Sequence, residues 1–335
     1  MSHRILGLLV ILVSFLAAWA WMEHDRFIDT PLSLPQQGID YQLAPGTSIS
    51  RLARELQSQG IIESGLYLRL LARWDGSAGK IKAGEYHLAP GITPGQLLAL
   101  LVSGKVVSHS LTLVEGWDIR QVLAAVRSHN ALKQTLEGLS HKVIMERLGY
   151  PGQHPEGRFL PDTYHFPRGT TDLAFLKRAY HAMERRLAGE WEKRDKGLPL
   201  KTAEEALILA SIVEKETGNA AERPMIAGVF VRRLHKRMKL QTDPTVIYGM
   251  GESFDGNIRR KDLKQDTPYN TYVHRGLTPT PISMPGADAI HAVMHPAAGK
   301  SLYFVAKGGG LHYFSNTLEE HNRAVRKYQL KKRKK

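Results

Sequence analysis

The chain has 335 residues, no cysteine and a formal net charge of +14. That length accommodates two domains with cores of their own, and the missing cysteines exclude disulfides, thiol nucleophiles and thiolate metal sites. The positive balance calls for an acidic partner or surface. It is scattered along the chain, however, and its densest run is the terminal Lys331–Lys335, a solvated basic tail. Anionic lipid or an anionic wall polymer therefore matches it better than nucleic acid.

Residues 1–4 read as a cytoplasmic tail, and Ile5–Met22 is an uncharged apolar run just long enough to span a bilayer. Arg4 precedes the run, while Trp19 and Trp21 stand where an aromatic belt lies. The expected arrangement is an uncleaved anchor with the body outside the membrane. A removable signal peptide, cut after Ala18-Trp19-Ala20, is the competing reading.

Residues 23–38 follow as a Pro-containing linker. Then "YQLAPGTSISRLARELQSQGII" from Tyr41 is echoed by "YHLAPGITPGQLLALLVSGKVV" from Tyr86, and more weakly by "LTLVEGWDIRQVLAAV" from Leu111. Each copy joins an alternating strand, a turn, a Ser, Thr or Asp cap and an amphipathic helix. Residues 39–107 are thus expected to form a small domain, a β-α-α-β module closed by the strand at Tyr86. A larger domain covers 108–330. In it, apolar periodicity predicts helices over Asp172–Trp191 and Met225–His235 and from Thr317 to about Leu330. "LYFVAKGGGLHYFSN" predicts a hairpin around Gly308–Gly310. Helices interrupted by antiparallel strands make the fold class α+β.

Several familiar chemistries find no support. "GKS" at Gly299–Ser301 lacks the upstream glycine of a phosphate loop, since Met294 holds that place. Ser211 has no nucleophile elbow around it. His291 and His295 are four apart, as on zinc-binding helices, but no glutamate follows His291 and Pro296 ends the segment; they read as a solvated pair, and no metal is expected.

The carboxylates remain. "LILASIVEKETG", Leu207–Gly218, is an apolar helical run that ends in Glu214, Lys215 and Glu216. On a helix Glu216 shares a face with Leu209, Ile212 and Val213, whereas Glu214 lies beside Leu207, Ala210 and Ser211. Two downstream loops carry Gln241, Asp243 and Tyr248, then Asn270 and Tyr272. Amide, hydroxyl and aromatic groups of this kind suit a carbohydrate groove, although turn chemistry alone would also account for them.

The segments "SIVEKETG", "ERPMIAGVFVRRL", "LQTDPTVIYGMG", "YNTYVHRGL" and "LYFVAKGGGLHYF", with "VEGW", "EGRFLPDTYHF" and the anchor, follow in the order and spacing of the MltG/YceG family. The chain resembles these membrane-anchored endolytic murein transglycosylases over nearly its whole length. The resemblance implies a LysM-like small domain, a YceG-like catalytic domain and Glu216 as the catalyst, with no cofactor. Glu214, Gln241, Asp243, Tyr248, Asn270 and Tyr272 are then expected to bind substrate, Glu214 either as a helper or as a surface partner for an arginine. It also implies peptidoglycan glycan strands as substrate, peptidoglycan synthases (penicillin-binding proteins) as neighbours, and cleavage that limits strand length. Gly218 stands where a related enzyme more often has alanine, which moves Glu216 into the last helical turn. Two alternatives stay open: a hydrolytic muramidase with Asp243 as base or nucleophile, and a wall-binding scaffold without catalysis.

Overall fold

The computed structural model describes residues 2–330; Met1 and the basic run 331–335 lie outside the described residues. The chain divides into two compact units: residues up to His109 together with Phe166–Gly169, and Ser110–His165 together with Thr170 onward.

The first unit begins with α1 (Ser2–Asp29), which runs seven residues past the end of the apolar run at Met22. From Leu6 it is long and apolar enough to cross a membrane by length and composition. Large apolar side chains of the run itself, Leu8 and Phe15 among them, are exposed. The expected linker is in fact half helix and half docked segment. Phe27 and Leu32 are buried, and the amides of Leu32 and Ser33 donate to the carbonyls of Ile92 and Ile61 at 2.8 and 2.9 Å. Phe27 and Leu32, with Leu34 packed beside them, pin the segment to the core.

There follow β1 (Ile39–Leu43), α2 (Ile49–Ser58), α3 (Gly65–Trp74), β2 (Gly84–Leu88) and α4 (Pro94–Ser103). β1 and β2 pair antiparallel with Tyr41 opposite Tyr86. Ser48, Ser64 and Thr93 cap the three helices with their side chains, and Thr93 forms a full capping box with Gln96. Leu52, Leu56, Leu68, Leu97 and Leu101 are fully buried beneath the strand pair.

The second unit begins at Ser110, within β3 (Ser108–Thr112), and takes in β4 (Thr163–Pro167) as far as His165, with α5 (Ile119–Ser128) and α6 (His141–Leu148) between the two strands in sequence. α7 (Asp172–Lys193), α8 (Ala203–Glu216), α9 (Arg223–His235), α10 (Asp243–Met250) and α11 (Ala287–Met294) follow. The hairpin β5 (Tyr303–Gly308) and β6 (Leu311–Ser315) and then α12 (Leu318–Val325) complete the unit. The helical segment runs on from α12 through a π-helical turn, Arg326–Leu330, and so ends at Leu330 as expected. The fold is mixed α+β.

α8 is the axis of this unit. Thr202 caps it, accepting from the Glu205 amide at 3.2 Å, and Glu204 and Glu205 place negative charge in its first turn. Every residue from Ala206 to Glu214 is buried. A helix apolar all round must be covered on all sides, and α7, α9, α10 and α11 pack around this one. Leu187, Leu207, Leu209, Phe230 and Val293 belong to the resulting core.

Gly228 on α9 shows how tightly this shell closes. A Cβ there would lie 2.5 Å from the carbonyl oxygen of Ala297, which also accepts from Arg232 Nη1 at 2.9 Å. Alanine would gain up to about 1 kcal/mol in helix propensity. Crowding against backbone costs about 1–3 kcal/mol and wins. Gly228→Ala is expected to lower the urea midpoint with little change in the m-value; an unchanged or raised midpoint would show that the segment at Ala297 moves aside freely.

Candidate active site

α8 ends at Glu216 because Thr217 leaves the helix with extended backbone, φ −147° and ψ 134°. Gly218 supplies no left-handed cap, so the helix ends where the extended Thr217 turns the chain away. This break delivers Glu216 from the core into a cavity of about 530 Å³. Gln241, Thr242, Asp243, Tyr272, Tyr303 and His312 are among the residues that line it.

The hydroxyl of Thr242 donates a short hydrogen bond to Glu216 Oε1. Burial pushes the Glu216 carboxyl up to about 7, and nearby Asp243 pushes the same way; the Thr242 bond and the charge of Arg233 oppose them without cancelling them. The carboxyl is therefore poised to exchange its proton near neutrality, with Oε1 engaged by Thr242. Tyr272 donates to Asp243 Oδ1 at 2.6 Å across the same cavity.

The wall opposite α8 is a strained turn held from behind. Gln241 sits at φ +51°, a left-handed conformation that costs a non-glycine residue about 1 kcal/mol or more. The Arg233 guanidinium, itself buried, donates to the carbonyls of Lys239 and Leu240 at 3.1 and 2.9 Å and to that of Leu302 at 2.6 Å. Thr271 accepts from the Thr242 amide through Oγ1 at 3.1 Å, and its carbonyl accepts from the Gln241 amide at 3.2 Å. These bonds over-determine the turn and fix the Thr242 hydroxyl against Glu216. Arg233, Thr242 and Thr271 were not singled out in the sequence. Their partners lie in other elements, and only the closeness of Thr242 to Asp243 hinted at a role.

His312 is another such residue. Its amide and Nδ1 meet the two oxygens of the buried Glu222 at 3.0 and 2.8 Å, which directs the ring's other nitrogen away from Glu222. Tyr303 stacks on His321, with ring centroids 5.3 Å apart, and takes the Arg233 guanidinium over its face at 5.0 Å. The cavity thus has aromatic walls around a polar floor.

Of the residues singled out in the sequence, Glu216, Gln241, Asp243 and Tyr272 meet at this cavity, and Glu214, Asn270 and Tyr248 do not. Glu214 is buried and paired: Oε1 accepts from Arg223 Nη2 at 2.9 Å and Oε2 from the Gly286 amide at 2.9 Å. Asn270 turns inward, its amide donating to the carbonyls of Asp262 and Gln265 at 3.1 and 2.7 Å. Both are scaffold rather than lining. Tyr248 borders a different cavity of about 520 Å³, along with Arg120, Lys215, Pro244 and Phe254. Its hydroxyl donates to Glu156 Oε2 at 3.1 Å. Burial raises Glu156 to about 7 as well. The two cavities flank one turn, since Asp243 lines the first and Pro244 the second.

His291 and His295 do acquire the carboxylate that the sequence lacked nearby. Glu190 comes within reach of both rings from α7. His291 Nδ1 meets Glu190 at 2.9 Å and His295 Nδ1 meets Asp195 at 2.8 Å, so each ring is paired with an acid.

The Glu214–Arg223 pair clamps the end of α8 that carries Glu216, and Arg223 has two further acids, Glu115 at 3.0 Å and Asp288 at 3.5 Å. The two partners are therefore not equivalent. Arg223→Met strands a buried carboxylate and is expected to cost about 3–5 kcal/mol. Glu214→Gln leaves Arg223 two acids and should cost clearly less. Chemical denaturation of both variants checks the order, and equal losses would contradict it.

The sequence matches the YceG-like family over residues 41–327. An endolytic murein transglycosylase of Bacillus subtilis is 33% identical over 307 residues, covering 87% of this chain and 84% of that protein. One of Streptococcus pneumoniae serotype 2 is 26% identical; the match covers 94% of this chain but 63% of that longer protein. Among solved structures, a yceG-like protein from Listeria monocytogenes is similar at 30% identity and a TM-score of 0.53, covering 86% of this chain and 99% of that one. A family match over most of the length and a relative one-third identical point the same way: the chain belongs to the YceG-like family.

Proposed function

We propose that the chain is an endolytic peptidoglycan lytic transglycosylase that cleaves the MurNAc-GlcNAc β-1,4 bond within glycan strands, with Glu216 as its one acid-base group. The observation that carries this reading is a carboxyl held near neutrality by burial at the end of an apolar helix, opening into an aromatic-walled cavity. The murein transglycosylase activity by which the Bacillus subtilis and Streptococcus pneumoniae relatives are named supports it. α1 serves as the membrane anchor with both units outside the cytoplasm, and the β-α-α-β unit is a LysM-like glycan-holding module.

Glu216 can act twice. Protonated, it gives its proton to the glycosidic oxygen as the C1–O bond breaks and C1 takes on oxocarbenium character. The carboxylate so formed then accepts the proton of the muramyl C6 hydroxyl, whose oxygen bonds to C1 and closes a 1,6-anhydro ring. Atoms balance without water, and Glu216 ends as it began. Tyr272, Tyr303 and His312 offer ring faces and hydrogen-bonding edges to the sugars, and Gln241 an amide.

Glu216→Gln keeps the shape but cannot cycle a proton, so cleavage should fall by at least about a hundredfold. Since only the protonated acid starts the reaction, activity should decline as pH rises through about 7. The Thr242 bond favours the carboxylate; Thr242→Ala should therefore move that decline to higher pH. Near-normal turnover in Glu216→Gln, or an unmoved alkaline limb in Thr242→Ala, would contradict the assignment.

A further inference from the structure

α3 has two apolar faces, one buried in the core of its unit and one largely exposed. Leu68 and Ala72 are fully buried in the unit's core. Leu66, Leu70 and Trp74 form a stripe at i, i+4 and i+8 that stays open, at 53%, 43% and 72% exposure. A helix resting on a core against water ordinarily turns charge outward. Here Arg69 and Arg73 are the only charged residues in the ten-residue helix.

The stripe leads to the membrane-spanning candidate. Phe27 packs on Tyr67 with centroids 5.7 Å apart, and at the other end of α3 Trp74 meets Trp21 at 5.6 Å and stacks on His24 at 5.9 Å. α3 thus runs antiparallel beside the end of α1, its C-terminal tip pointing back along α1 toward the apolar run. Trp21 is the penultimate residue of that run, where the hydrocarbon ends. Trp74 stands level with it.

We propose that the C-terminal tip of α3 is seated in the interface of the bilayer that α1 crosses, so that the first unit stands on the membrane on two helices rather than swinging from one. This rests on the reading of α1 as an anchor. Tryptophan is the side chain best suited to that depth, with an apolar body and one polar edge, and exposed Arg73 can extend its guanidinium to the lipid phosphates. The geometry sets a gradient: Leu66 lies eight residues from Trp74, about 12 Å farther out along the helix. Trp74 and Leu70 enter the interface, and Leu66 lies at its outer edge.

The cysteine-free chain allows a direct test. The full chain, carrying one spin label at Leu66→Cys, Leu70→Cys or Trp74→Cys, is reconstituted in vesicles of phosphatidylethanolamine and phosphatidylglycerol. Collisions with oxygen, which concentrates in lipid, are compared with collisions with a water-soluble nickel chelate. Labels at Leu12→Cys on α1 and at Gln42→Cys on the exposed side of β1 give the hydrocarbon and water references. The expected oxygen-to-nickel ratio falls in the order 74, 70, 66, with 74 and 70 above the Gln42 label. Values at 70 and 74 equal to Gln42, while the Leu12 label stays lipid-like, overturn the proposal and leave the anchor intact. Exclusion of both reagents at 70 and 74 overturns it in favour of a protein contact, such as a second copy. A water-like Leu12 label removes the anchor and this inference together.

Discussion

A carboxyl group that is to hold a proton at neutral pH must be kept from water, yet it must also reach its substrate. In the role proposed for Glu216, the second unit meets both requirements by placing it at the terminus of a helix buried along its length. The apolar shell of α8 removes the solvation that would otherwise stabilise the carboxylate. The break at Thr217 opens one side of the group to the cavity.

Much of the surrounding structure follows from holding that terminus still. Ser211 receives the Ile282 amide at 2.9 Å, and its carbonyl receives the Ser283 hydroxyl at 3.0 Å, so one loop is fastened along α8. The same loop ends at Gly286, whose amide reaches Glu214. On the other side, Arg233 and Thr271 hold the turn that presents Thr242. The charged and hydroxyl groups closest to the acid are therefore mostly structural. They determine which oxygen of Glu216 is engaged. The hydrolytic alternative needs Asp243 to activate a water, and one oxygen of Asp243, Oδ1, accepts from the Tyr272 hydroxyl.

The fold was legible where local chemistry decides it. Capping boxes at Thr93 and Asp118 and the glycine-tipped hairpin at Gly308–Gly310 state their own conformations. The apolar run from Leu207 to Val213 announced the central helix. What could not be read is what depends on distant partners. Glu214 and Asn270 look like lining in the sequence because a polar side chain in a loop or at a helix end carries no mark of its direction. Arg223 and the carbonyls of Asp262 and Gln265 turn them inward. Thr242 and His312 were missed for the same reason, since their partners Glu216 and Glu222 lie 26 and 90 residues away. The return of Phe166–Gly169 to the first unit is likewise a tertiary event.

The central claim is that one carboxyl group completes the reaction and water takes no part in it. Digestion of purified peptidoglycan by the full chain in water enriched in heavy oxygen, followed by mass analysis of the new muramyl ends, tests this most directly. A single acid predicts 1,6-anhydro ends without the heavy isotope. Reducing muramyl ends that carry one heavy oxygen atom would contradict it and place a second group, Asp243 first, in the chemistry.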